Sequence, residues 1–166
     1  PPIWIIGILK IKQQKTKLSA SYLSPRTIAA SYFLKYVGKT RNFPAINLRL
    51  YSVYGPLEDS SRLIPTILNN AIVKKFPPLV DPDVSRDFVF INDVCEAFIL
   101  AASKINPELY GESFNIGTGN KTTIKDLALT IKKIYKIKKT PIFSNMSKRS
   151  WDLNEWYSDS KKAEKV

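Results

Sequence analysis

Arg86 and Arg149 are the residues of this 166-residue chain whose type and setting point most directly to chemistry on an anion. Each opens a string that follows an irregular stretch, Arg86-Asp-Phe-Val-Phe-Ile-Asn-Asp93 and Arg149-Ser-Trp-Asp152, where a side chain can face a cleft. A guanidinium stays charged and presents a fork of donors, which matches the paired oxygens of a phosphate or diphosphate. The competing roles are structural: an ion pair with Asp81, Asp83 or Asp87 for Arg86, and a solvated loop position for Arg149. Trp151 and Trp156, close to Arg149, either line a base or sugar pocket or pack against the core.

Several other chemistries are excluded or weakened by composition. Histidine is absent, which removes the His-based serine and cysteine triads and the commonest zinc ligand, so no metal site is expected. Acid or base work must fall to Tyr, Lys, Asp or Glu. Cys95 is the only cysteine; it forms no intrachain disulfide, reads as a packing residue, and suits a reducing, cytoplasmic setting. The formal net charge is +12, which taken alone suggests nucleic acid, an anionic membrane or a phosphorylated substrate. Lysine outnumbers arginine 20 to 6 and falls on several separate helices and loops. A compositional drift with dispersed charge is therefore expected, with no nucleic-acid or membrane partner. The apolar run Pro1 to Leu9 is too short to span a bilayer and lacks the flanks of a signal peptide.

The elements that must position these residues follow from periodicity. Ile28, Ala29, Tyr32, Phe33, Tyr36 and Val37 recur at helical spacing, with Gly38 and Lys39 as the helix end. Ala45–Leu50 reads as a buried strand, and Leu63–Val73 as a helix after the acidic, serine-rich stretch from Glu58 to Ser61. A short strand at Phe88–Ile91 precedes a helix capped by Asn92 or Asp93 and running to Ala102. Ser113–Ile116 is another strand, closed by the turn at Gly117 and Gly119. Thr122 or Thr123 caps a helix whose Ile124, Leu127, Ala128, Ile131 and Ile134 share a face. Pro141–Phe143 reads as a last strand and Asp159 onward as a helix. Residues 1–21 show no clean period and stay unassigned, a disrupted segment being one reading. Alternating strands and helices predict an α/β layer structure.

The string Asn47-Leu-Arg-Leu-Tyr-Ser-Val-Tyr-Gly-Pro-Leu-Glu-Asp-Ser-Ser-Arg-Leu-Ile-Pro65 resembles the extended short-chain dehydrogenase/reductase family, the NAD-dependent epimerases and dehydratases of nucleotide sugars. Arg86 to Asp93, Phe114-Asn-Ile-Gly-Thr-Gly119, and Arg149 to Asp152 followed by Asp159-Ser-Lys-Lys-Ala163 agree with it in order and spacing. The wording is similar to that of CDP-sugar dehydratases, reductases and epimerases. The resemblance implies the C-terminal part of a Rossmann-type doubly wound domain, residues 22–56, joined to a small α/β nucleotide-sugar-binding subdomain, residues 57–166. It implies NAD or NADP as cofactor of the complete parent enzyme, a nucleotide sugar as substrate, and allows a homodimer.

Site residues carry over by position. Arg86 and Arg149 would hold the diphosphate, Arg62 the nucleotide side, and Ser52 would reach toward the sugar. Plainer roles compete, a helix surface charge for Arg62 and a turn serine for Ser52. The family's catalytic tyrosine precedes a lysine by four residues, so that one helical turn joins them; Tyr22 and Arg26 have that spacing. Tyr22 would be the general base and Arg26 would contact the nicotinamide ribose. Arginine in place of lysine departs from the pattern, and Pro25 is tolerable only in a first helical turn. Two compensating single-nucleotide changes in the coding DNA would produce both departures. The Gly-rich strand-turn-helix that cradles the cofactor pyrophosphate is not found in the sequence, so this chain is expected to be the substrate-binding half. A non-functional remnant and a basic nucleic-acid-binding module are the other readings.

Overall fold

A computed structural model describes residues 4–9, 25–147, 149 and 152–166. The chain forms two compact units that interleave along the sequence: residues 1–53, 87–120 and 157–166 make the first, and residues 54–86 and 121–156 the second. The stretch 57–166, expected as one subdomain, is thus divided between both. Its strand around Phe114 joins a sheet begun far upstream.

The first unit is built on a parallel sheet of β1 (Trp4–Leu9), β2 (Ala45–Leu50) and β6 (Ser113–Ile116), in the order β1-β2-β6. β1 runs in register from Trp4 opposite Ala45 to Leu9 opposite Leu50, and β6 from Ser113 opposite Asn47 to Ile116 opposite Leu50. The run Trp-Ile-Ile-Gly-Ile-Leu has no alternation from which sequence alone assigns a strand; its backbone pairs with β2 along its whole length. One face of β2 carries Ile46, Leu48 and Leu50, which pack with Val89, Val94 and Phe114. The other face carries Asn47, fully buried, whose Nδ2 donates to Ser31 Oγ and Ser113 Oγ at 3.2 Å each.

Ser31 belongs to α1 (Pro25–Arg41), so Asn47 pins that helix to β2 and β6. Pro25 is the first helical residue, the place where its missing N–H costs nothing. Two sequence expectations for α1 are corrected. Gly38 does not end the helix, which runs on to Arg41; a Cβ at Gly38 would sit 2.2 Å from the Gly111 amide nitrogen. That contact seats the helix with Leu34 inward, leaving Tyr32, Phe33 and Tyr36, expected on the packed face, exposed. Replacing Gly38 by alanine is expected to force α1 off the 110–111 backbone and cost about 1–3 kcal/mol, read as a lower midpoint in urea unfolding.

β3 (Ser52–Tyr54) pairs with β5 (Phe88–Phe90), and α3 (Ile91–Lys104) follows at once. The N-cap of α3 is Phe90, with no side-chain cap, rather than Asn92 or Asp93; both lie inside the helix, and Asp93 faces the helix dipole from the first turn. Its inward side is Val94, Phe98 and Ala101, so Cys95, expected to pack, is exposed. The short α5 (Lys161–Glu164) is tied to the sheet through Glu112. That carboxylate accepts from Lys162 at 2.5 Å and Lys39 at 2.8 Å, and those two hydrogen bonds bring its pKa down to about 2.

The second unit packs α2 (Leu63–Ile72) against α4 (Ile124–Ile134) over a core of Ile67, Ala71, Leu79, Val84, Ile124, Ala128, Ile131 and Ile137. β4 (Ser85–Arg86) runs antiparallel to β7 (Thr122–Thr123), Ser85 opposite Thr123. Thr123 and Asp126 form the capping box of α4. Pro141–Phe143 is not a strand. The following Ser144 and Asn145 amides bond to Val80 and Leu79 carbonyls, which fastens the segment without a ladder. No helix among the described residues is long and apolar enough to cross a membrane.

Candidate substrate-binding site

In the second unit, the short strand β4 brings Arg86 against the segment 152–156. Ser85 makes the fastening: its N–H donates to the Leu153 carbonyl at 2.8 Å, and its Oγ donates to the Asn154 carbonyl and accepts from the Trp156 N–H, both at 2.9 Å. Arg86 is then held on three sides. Its Nη2 pairs with Asp152 Oδ1 at 3.0 Å, its Nη1 donates to the Ser85 carbonyl at 2.7 Å, and its guanidinium lies 5.8 Å from the centre of the Trp156 ring. The partner of Arg86 is therefore Asp152, not Asp81, Asp83 or Asp87.

Asp152 is buried, and its second oxygen accepts the Arg149 N–H at 3.0 Å. One carboxylate thus joins the two arginine strings. Burial pulls the Arg86 pKa down, the Asp152 carboxylate pushes it back up, and the positive charge of Arg149 lowers it again. Asp152 thus holds the Arg86 guanidinium with one oxygen and the Arg149 backbone with the other. Arg149 is exposed, whereas Arg86 is largely buried among its protein partners. Arg62 is placed elsewhere in this unit: its Nε pairs with Glu58 at 3.2 Å as an i,i+4 contact at the start of α2.

In the first unit, Ser52 is half-buried at the start of β3, and its N–H donates to the Asp87 carbonyl at 2.9 Å. The Asp87 side chain, offered by the sequence only as an ion-pair partner for Arg86, is the most heavily hydrogen-bonded carboxylate among the described residues. Fully buried, it accepts from the Thr118 N–H at 2.9 Å and Thr118 Oγ1 at 2.6 Å on one oxygen. The other oxygen accepts from the Gly119 N–H at 3.0 Å and the Ser158 N–H at 2.9 Å. Burial alone would raise its pKa, but the hydrogen bonds from Thr118 and Ser158 outweigh it and hold the pKa below the usual value. A Cβ at Gly117 would fall 2.6 Å from Asp87 Oδ2, and Gly119 has φ +74°. The Gly-Thr-Gly string is therefore a receptor for Asp87, and its amides are not free to cradle a cofactor pyrophosphate.

Arg49 lies on the Asn47 side of β2, two residues nearer the start of α1. Its Nε is buried and has no acceptor among the described residues; burial lowers its pKa and the neighbouring Tyr51 opposes this. In the sequence the surrounding Leu-Arg-Leu is indistinguishable from an ordinary strand. Tyr22 lies outside the described residues. Arg26 has its backbone in the first turn of α1. The described residues contain no cluster of three or more His, Cys, Asp or Glu.

A profile described as "NAD dependent epimerase/dehydratase family" matches residues 11–117. The chain is 27% identical over 136 residues to a dTDP-4-dehydro-6-deoxyglucose reductase of Escherichia coli, covering 79% of this chain and 41% of that protein. It is 36% identical over 109 residues to a dTDP-L-rhamnose 4-epimerase of Burkholderia thailandensis, covering 63% of this chain and 30% of the relative. In structure it is similar to the Bordetella bronchiseptica enzyme WbmF in complex with NAD+ and UDP. The TM-score there is 0.72 at 25% identity, over 97% of this chain and 51% of that one. The chain thus spans less than half the length of these two curated relatives. Its fold is Rossmann-type α/β.

Proposed function

Because the chain belongs to the NAD dependent epimerase/dehydratase family, we propose that it is the nucleotide-sugar-binding half of an NAD(P)-dependent epimerase, dehydratase or reductase. The observation that carries this is the arginine pair joined by Asp152. A buried carboxylate that fixes one guanidinium and the backbone of a second arginine prepares a cationic surface before a ligand arrives. A diphosphate is the anion whose size and charge suit two forked cations. Arg149 supplies the direct contact and Arg86 the fixed cation behind it, while Arg62 serves the nucleotide end and Ser52 the sugar. Tyr22 would take the proton from a sugar hydroxyl, and Arg26 would hold a ribose hydroxyl. NAD(P) supplies the hydride acceptor in relatives of this kind. The described residues offer no pyrophosphate cradle, so that part of the cofactor falls to a separate cofactor-binding half.

Titration calorimetry of the chain with UDP-glucose and dTDP-glucose tests the assignment. Arg149→Ala is expected to weaken binding at least about tenfold, in line with loss of a charge-assisted contact of 1.5–3 kcal/mol. Arg149→Lys should restore only part of it, because an ammonium lacks the fork. Unchanged affinity in the alanine variant would remove Arg149 from the site. NAD alone should give no saturable heat.

A further inference from the structure

The second unit carries a basic and aliphatic cap that the arginine site does not use. α2 and α4 end side by side, since Lys74 Nζ donates to the Tyr135 carbonyl at 2.7 Å just past the end of α4. Seven lysines gather at these ends and in the segment that follows: Lys74, Lys75, Lys132, Lys133, Lys136, Lys138 and Lys139. All but Lys132 are exposed. None forms an ion pair among the described residues, and the sequence has no acidic residue between Asp126 and Asp152. Among these lysines stand Ile72, Val73 and Ile134, which are 64%, 60% and 65% exposed. The dispersal of charge expected from sequence fails at this place, because the end of α2 adds Lys74 and Lys75 to the basic run from Lys132 to Lys139.

Helix dipoles account for part of the cluster. Lys132 and Lys133 lie in the last turn of α4, and Lys74 bonds a carbonyl there. They do not account for Lys75, Lys136, Lys138 and Lys139, nor for aliphatic side chains left in water among them.

We propose that this cap docks the protein on an anionic lipid bilayer, with Ile72, Val73 and Ile134 entering the headgroup boundary and the surrounding lysines meeting anionic lipid. Lysine is a point charge suited to a diffuse negative surface, and aliphatic side chains gain only where hydrocarbon receives them. Nucleic acid fits less well. Single-strand binding favours aromatic platforms and arginine, yet the cap has no arginine, and the exposed large apolar residues of this unit other than Leu57, namely Ile72, Val73, Leu129, Ile134 and Ile142, are aliphatic too.

Cosedimentation of the full chain with vesicles tests the assignment. The chain should pellet with phosphatidylcholine vesicles containing roughly a third phosphatidylserine, not with phosphatidylcholine alone, and should be released as salt rises. The combined variant Lys133→Gln, Lys136→Gln, Lys138→Gln and Lys139→Gln should bind on the order of a hundredfold more weakly. Ile134→Ser, with all lysines kept, should lose at least about threefold. The altered side chains are exposed, and an unchanged urea midpoint confirms that each variant is folded. Failure of the unaltered chain to pellet with the acidic vesicles, equal binding to both vesicle types, or tighter binding to a short DNA duplex than to acidic vesicles each overturns the proposal. None of these results bears on nucleotide-sugar binding, which calorimetry reads separately.

Discussion

Replacing Asp87 by alanine is expected to destabilise the chain by at least about 3 kcal/mol, seen as a fall in the urea midpoint with the slope of the transition little changed. The carboxylate is fully buried and receives the amides of Thr118, Gly119 and Ser158 together with the Thr118 hydroxyl. Alanine leaves three donors, the Thr118 amide and hydroxyl and the Ser158 amide, without this acceptor, while the Gly119 N–H keeps Ser158 Oγ at 3.0 Å, and each orphan costs about 1–3 kcal/mol. Asn at this position should fall between the two, since it keeps one acceptor oxygen but turns an NH2 toward donors. The pH dependence has a definite sign. The folded pKa of Asp87 is depressed, so its contribution is complete above the ordinary carboxylate range near about pH 4 and is lost as pH falls through the depressed value. Glu112 acts in the same direction down to about pH 2. The alanine variant should therefore show a shallower loss of stability between neutral and acid pH than the parent. An equal slope in both would mean that Asp87 is not held ionised by its donors.

Elements whose signals are local were legible from sequence. Ala45–Leu50 and Ser113–Ile116 formed as read, and the Thr123 cap of α4 is a contact across three residues. What stayed hidden depends on distance along the chain. Asp152 is 66 residues from Arg86 and Ser158 is 71 from Asp87, and nothing in either neighbourhood marks the partner. Gly38 looked like a helix stop because its real constraint, Gly111, is far away in sequence. Spacing gives a helix its stripes, but the close approach of two glycines decides which stripe faces the sheet. For the candidate site, the types and loop positions of Arg86 and Arg149 could be read directly. That Asp152 joins them could not, and neither could the buried Nε of Arg49, which has no hydrogen-bond partner among the described residues.

Changing Tyr22 to Phe should abolish turnover when the chain is joined to a matching cofactor-binding half, and changing Arg26 to Lys should raise it. Tyr22 lies outside the described residues, so the expectation rests on the spacing of the pair and on α1, whose first turn holds the Arg26 backbone. Asn47 fixes the helix against β2 and β6 through Ser31 and Ser113. In the proposed site the residue at position 26 would have two tasks, holding a ribose hydroxyl and stabilising a phenolate four residues earlier. An ammonium does both from one point. A guanidinium spreads its charge over a plane and gives up one contact to make the other. Removing a general base costs on the order of a hundredfold to ten-thousandfold in rate, well within reach of a steady-state assay following the cofactor absorbance. The phenylalanine variant should keep its nucleotide-sugar affinity by calorimetry, separating loss of the proton acceptor from loss of fold. Parental activity in that variant would show that Tyr22 is not the base, and an Arg26→Lys variant no faster than its parent would show that the guanidinium already fills the lysine's place.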